Sequence, residues 1–266
     1  MRIVSLLPSA TEIVYALGLG DDLVAVTHEC DFPRGARAKR HVTRNLIPTG
    51  LLASAEIDRA VLESSQNAHS IYQLDIEVLV GLRPDLILTQ DLCEVCAVPR
   101  SAVDEAVQRL DSPAAVLSLD PTNLQDVLQS IEQVGEATGY QAEARRLVTN
   151  LRERIEAVVA LTSGMAQRPR VLCCEWLDPI YCSGHWVPEQ VRLAGGVDGL
   201  GQEAGPAISI DWQEVLRYAP EVIILMPCGF DASQAAAHID ELAHRSGWDT
   251  LLAAEEVPKL MECASD

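Results

Sequence analysis

Two stretches of this chain echo each other: "DIEVLVGLRPDLILTQDLC", ending at Cys93, and "DWQEVLRYAPEVIILMPC", ending at Cys228. Aligned on Pro84 and Pro220, both read Asp, helix, Pro, acidic residue, apolar strand and cysteine loop. A second echo, "EIVYALGLGDDL" against "EQVRLAGGVDGL", stands upstream of each. Similarity of this kind means that one small unit is used twice. Strands alternate with helices in both halves, which makes each an α/β unit with parallel pairing and right-handed crossovers.

Between the copies, residues 123–163 change character. The segment is amphipathic at helical spacing and is interrupted mainly by Gly135 and Gly139, so it reads as one long helix or two nearly continuous ones. The expected organisation is a lobe over 1–122, a linking helix over 123–163 and a second lobe over 164–266. With 266 residues, 48% of them hydrophobic, two lobes of ordinary size can each bury a core. At the N-terminus, Ser9 followed by Glu12 fits a capping box for the first helix, and Gly18 or Gly20 supplies its left-handed stop.

Charge narrows the partners. Twenty basic against 39 acidic residues give a formal net charge of −19, which opposes nucleic-acid and anionic-membrane binding. No stretch approaches the ~20 apolar residues of a spanning helix. The N-terminus shows neither a signal core nor a cleavage site. The expectation is a soluble, cytoplasmic protein, periplasmic if a signal was removed. Eight cysteines in a reducing compartment read as thiols, metal ligands or redox groups before they read as a disulfide framework.

In α/β units, ligands bind beyond the carboxyl ends of the strands. The segments that fall there are "THECDFP" (His28, Cys30), "DLCEVCAVP" (Cys93, Cys96), "CCEWLDPIYCSGHWVPE" (Trp176, His185, Trp186) and "MPCGFD" (Cys228, Asp231). Thiolate and imidazole hold zinc and other thiophilic metals, and His28, Cys30, Cys93 and Cys96 supply four donors. The single C-x-x-C also admits a redox pair near a helix start, or two small residues in a bend. Cys173 and Cys174 lie within an apolar strand, where cysteine packs as a small hydrophobe. Cys182 reads equally well as core or site, and Cys263 as incidental. His238 and His244 fall on an amphipathic helix and read as solvent-facing, while His41 and His69 have no evident partner. Phosphate-binding loop, nucleophile elbow and dinucleotide fingerprint are all missing, so catalysis has no support in the sequence.

"RIVSLLPSATEIVYALGLGDDLVAVTHECDFP", "LRPDLILTQ", the central helix, "LAGGVDGLG" and "APEVIILMP" resemble substrate-binding proteins of the vitamin B12, siderophore and haem uptake class. The cysteine- and tryptophan-bearing segments look like the subgroup labelled cobalamin-binding protein. This resemblance implies two small Rossmann-like α/β lobes with mostly parallel sheets, joined by a long backbone helix, with a ligand cleft between the lobes. It implies cobalamin or another corrinoid as ligand and an ABC importer as partner, and no enzymatic activity. The expected ligand residues are His28, Cys30, Cys93, Cys96, Trp176, His185, Trp186, Cys228 and Asp231, with His28, Cys30, Cys93 and Cys96 as a metal set. Zinc or another soft metal held by thiolates is the alternative, and a thiol redox protein using Cys93 and Cys96 the third reading. The chain ends where relatives of this class continue, so a shortened second lobe with an exposed edge, and through it a homodimer, is expected.

Overall fold

The computed structural model describes residues 1–47, 52–66, 70–91 and 97–251. Two compact units emerge: Met1–Leu51 with Arg59–Pro121 and Gln125–Arg152, and Leu52–Asp58 with Thr122–Leu124 and Glu153–Asp266.

The first unit carries β1 (Ile3–Ser5), α1 (Pro8–Ala16), β2 (Leu23–Val26), β3 (Arg40–His41), β4 (Thr43–Asn45), most of α2 (Ser54–Gln66), β5 (Tyr72–Leu74), α3 (Ile76–Leu82), β6 (Leu86–Thr89), α4 (Arg100–Gln108), β7 (Ala115–Ser118), α5 (Leu124–Thr138) and the start of α6 (Gln141–Thr162). Its sheet has the order β3-β2-β1-β6-β7, and every pairing in it is parallel. Strands covered on both faces need continuous apolar runs. Accordingly β6, "LILT", is buried at all four positions. Val4, Ala25 and Ile87 pack with Leu79 of α3 and with Val103 and Ala106 of α4 in one core cluster.

The second unit carries β8 (Val171–Leu177), β9 (Ile180–Cys182), β10 (Gly184–His185), α7 (Val187–Leu193), β11 (Gln202–Glu203), β12 (Ser209–Ile210), α8 (Trp212–Tyr218), β13 (Val222–Leu225), α9 (Ala232–Ala237) and α10 (Asp240–Ala243). Its main sheet runs β12-β9-β8-β13. Only β8 and β13 pair in parallel there; β9 joins β8 and β12 antiparallel. Leu172, Cys174, Ile180, Val215 and Leu242 form its core.

The repeat is atomic as well as textual. Arg83 (φ 48°) and Ala219 (φ 51°) both end a helix in the left-handed region just before the proline. Arg2 donates from its backbone N to Asp85 Oδ2 at 2.7 Å and from Nε to the Leu82 carbonyl at 2.7 Å. Arg170 repeats the first contact, its N donating to Glu221 Oε2 at 2.9 Å, and its Nε donates to the Ala219 carbonyl at 2.8 Å, one position closer to the proline than in the first unit. The acidic residue after each proline thus locks the incoming strand to the outgoing one. Gly18 (φ 80°) and Gly195 (φ 88°) play matching parts after α1 and α7.

Two local expectations change, and a third is narrowed to one of its alternatives. Helix α1 starts at Pro8, one residue before the expected cap, with proline in its first turn and no side-chain cap from Leu7; the fixed φ of proline suits that position. The connector is two helices parted at Gly139 (φ 80°). The stretch read as one helix over "ASQAAAHIDELAHR" is broken into α9 and α10.

Candidate functional site

In the first unit, His28 follows β2. Its backbone N donates to Thr43 Oγ1 at 3.1 Å, and its Nδ1 lies 2.7 Å from the same hydroxyl. The ring packs 5.3 Å from that of Tyr72. Nε2 is 3.1 Å from Glu29 Oε1, without the alignment of a hydrogen bond. Cys30 is turned inward: it is 2% exposed, and its Sγ sits 3.1 Å from Thr11 Oγ1 and 3.4 Å from Thr27 Oγ1. As an outward-facing ligand Cys30 is therefore not on offer in this conformation; a small thiol fits a hydroxyl-lined niche. Cys93 and Cys96 lie outside the described residues, as do His69 and Cys263. Among the described residues no group of three or more His, Cys, Asp and Glu side chains is arranged to hold a metal.

The second unit gathers aromatic rings at the carboxyl end of its sheet. Trp176, near the end of β8, donates from Nε1 to the Ser54 carbonyl at 3.1 Å and meets Phe230 edge-on at 5.6 Å. Phe230 in turn packs 5.0 Å from His238. His238 Nδ1 is 2.7 Å from Glu241 Oε1, and the same carboxylate oxygen accepts from Ser54 N at 3.3 Å. The five residues close a ring of contacts that fixes the indole. Ion pairing and hydrogen bonds outweigh burial at Glu241 and hold its carboxyl below the usual range, although burial pulls the other way.

The adjoining turn presents a second ring pair. His185 takes a left-handed backbone (φ 53°), pinned by its N donating to the Gly205 carbonyl at 2.6 Å and its carbonyl accepting from Ala204 N at 2.9 Å. Its imidazole lies 5.9 Å from the Trp186 ring. Gly184 beside it is obligatory, because a Cβ there would lie 2.4 Å from Ala207 N. Glu175 Oε1 accepts from Gly184 N at 2.9 Å, yet burial pushes the Glu175 carboxyl up.

Cys228 is exposed, and its N donates to the Glu175 carbonyl at 3.2 Å. Asp231 is spent as the cap of α9, its Oδ1 accepting from Gln234 N at 2.8 Å. Cys173, Cys174 and Cys182 are buried. Burial pushes the Cys173 and Cys174 thiols up to about 12 and raises that of Cys182. All three are core, which settles Cys182 on the side of packing.

Tyr72, Phe230, His238, Glu241 and Ser54 were not among the expected site residues. His238 is the instructive one: an amphipathic helix pattern suggested solvent, whereas its ring is half-buried between Phe230 and Glu241.

This fold has counterparts in known proteins. The sequence pattern of the family described as "Periplasmic binding protein" matches residues 3–257. The chain belongs to that family. Among its relatives, the uncharacterized ABC transporter substrate-binding lipoprotein YvrC of Bacillus subtilis is 26% identical over 261 residues, 96% of this chain and 70% of that one. The vitamin B12-binding protein of Yersinia pestis is 24% identical over 226 residues, 84% of this chain and 69% of that one. A periplasmic haem-binding protein from Pseudomonas aeruginosa shares the fold with a TM-score of 0.70 at 18% identity, over 95% of this chain and 80% of that one. The cytoplasmic expectation finds no support in these proteins, of which one is named a lipoprotein and another periplasmic. No helix among the described residues is long and apolar enough to cross a membrane.

Proposed function

We propose that this periplasmic binding protein captures cobalamin or a related corrinoid and delivers it to an ABC importer, without altering it chemically. The observation that carries this reading is the ring array of the second unit: Trp176 held by Phe230 and Ser54, beside the His185–Trp186 pair. Rings offer flat apolar faces to a flat macrocycle. The imidazole of His185 adds a nitrogen donor of the kind that coordinates cobalt and other transition metals. The Yersinia relative named for vitamin B12 supports the ligand class, and the family supports the delivery role. In this reading the protein works in the cell envelope.

Adding the protein to hydroxocobalamin should shift the corrin absorption bands and saturate at one ligand per chain. Trp186→Ala should weaken binding at least about tenfold, the equivalent of ~1.4 kcal/mol. No spectral change and no heat on titration would overturn the reading. Elemental analysis of the reduced protein before corrinoid is added separates it from thiolate-bound zinc at Cys93 and Cys96.

A further inference from the structure

Strands β8 and β9 set two thiols face to face. Cys174 and Cys182 are directly opposite each other in this antiparallel pair, and both are 0% exposed. The Cys174 carbonyl accepts from Met226 N at 2.9 Å, on the β13 side, and Cys182 N donates to the Ile208 carbonyl at 3.0 Å, on the β12 side. Each residue thus turns its backbone to its outer neighbour, which makes the two a non-hydrogen-bonded pair. In such a pair the Cα atoms stand ~4.5 Å apart and the side chains come closest, within the ~4.4–6.8 Å that a disulfide spans. Both side chains enter one core cluster with Leu172, Leu177 and Ile180. Cys173 belongs to the opposite face, where it packs with Val171 and Val191, and so does not compete for Cys182. Burial, and to a lesser degree the charge of Cys182, raise the Cys174 thiol, as befits neighbours.

We infer that Cys174 and Cys182 are a covalent modification site, closing into an intrachain disulfide as the chain folds in an oxidising compartment. The compartment rests on the envelope placement proposed above; the chemistry of the pair does not. In the reduced chain each Sγ donates to a carbonyl, Cys174 to that of Trp176 at 2.9 Å and Cys182 to that of Ile208 at 3.4 Å. Rotation about the two Cα–Cβ bonds exchanges these weak contacts for the S–S bond. The oxidant is a second disulfide. One cysteine thiolate attacks it, breaking its S–S bond, releasing one thiol and leaving a mixed disulfide; the other cysteine then displaces the second thiol. Two electrons and two protons pass from the pair to the oxidant, which ends as two thiols. Neither buried cysteine is reachable once the sheet has packed, so the exchange belongs to folding. The bond braces the strand that carries Trp176 against the one that leads into His185 and Trp186.

The test is refolding of the reduced, urea-unfolded chain with oxidised glutathione, followed by alkylation of the remaining thiols in denaturant, cleavage after Glu175 and tandem mass spectrometry. Cleavage there parts Cys174 from Cys182, so their disulfide shows as two joined peptides that separate on reduction. Most chains should carry the joined species, and Cys173→Ala should keep it. Cys174→Ala and Cys182→Ala, checked for fold by circular dichroism, should lose it. The bond should also raise the thermal midpoint by at least about 3 °C over the same chain refolded with reductant, a gain that Cys174→Ala should lose. The wild-type map decides by itself if a variant fails to fold. Alkylation of both residues after oxidative refolding, or Cys182 joined to a different cysteine, would overturn the inference. The readout needs no corrinoid: a bond without corrinoid binding would remove the ligand reading alone, and corrinoid binding without the bond would remove this inference alone.

Discussion

Strands β6 and β13 occupy matching places in the two units, yet they are buried very differently. Leu86 and Leu88 of β6 are 2% and 0% exposed, while their counterparts Val222 and Ile224 are 40% and 44% exposed. The local device is the same in both: a left-handed helix end, a proline, and an acidic clamp on the arginine before the neighbouring strand. What differs is the neighbourhood. β6 lies between β1 and β7, whereas β13, among the described residues, has β8 on one side and is the edge of its sheet. A repeated motif therefore fixes how chain segments join, and the sheet around it decides how much each join contributes to stability.

The sharpest way to break that comparison is truncation at the matched pair. Leu88→Ala should cost ~2–5 kcal/mol by urea unfolding, as for a fully buried leucine, and Ile224→Ala less than about 1 kcal/mol; equal costs would mean that the two strands are equally embedded. Next come the matched glycines. Gly18→Ala meets open space and carries only the left-handed penalty, ~1–2 kcal/mol. Gly195→Ala should cost more, because its Cβ would also lie 3.0 Å from Thr162 Cβ and 2.9 Å from Met165 Sδ. Asp85→Asn and Glu221→Gln should each cost ~0.5–1.5 kcal/mol, by similar amounts if the two clamps are equivalent.

The smallest effect is a contrast in pH dependence between two carboxylates of the second unit. Glu241 has a lowered folded pKa, so its contribution is present above the unfolded value and lost as pH falls through the folded one. Glu241→Gln should therefore destabilise at pH 7, by no more than about 1 kcal/mol for a partly exposed pair, and be neutral in acid. Glu175 has a raised folded pKa from burial, so its ionised form opposes folding above the unfolded value and the opposition fades as pH falls. Glu175→Gln should thus leave stability at pH 7 unchanged or slightly higher, and unfolding curves from pH 3 to pH 8 would separate the two slopes.

Much of the architecture was readable in the sequence, because it is carried by spacing. The Pro84 and Pro220 alignment found the duplicated helix–strand unit, and β6 showed itself as an unbroken apolar run. The antiparallel insertion of β9 and β12 was less visible, since register depends on partners far apart in sequence. The site was read more thinly. His185 and Trp186 stood out by their setting between Gly184 and Pro188, and the structure brings their rings together. Cys30 was judged by residue type alone, and type does not say which way a thiol turns; Thr11 and Thr27 decide that. The Trp176 support depends on Ser54, 122 positions away, a distance no local pattern spans.

The protonation of the thiols has a practical side. Burial pushes the Cys173 and Cys174 thiols up to about 12, so both are protonated at pH 7. Alkylating reagents and oxidants act on the thiolate, so these two are chemically silent in the folded chain. Of the five described cysteines, Cys228 alone is exposed. A maleimide dye placed there would sit at the rim beside Trp176 and Phe230, and its fluorescence would report ligand arrival in real time.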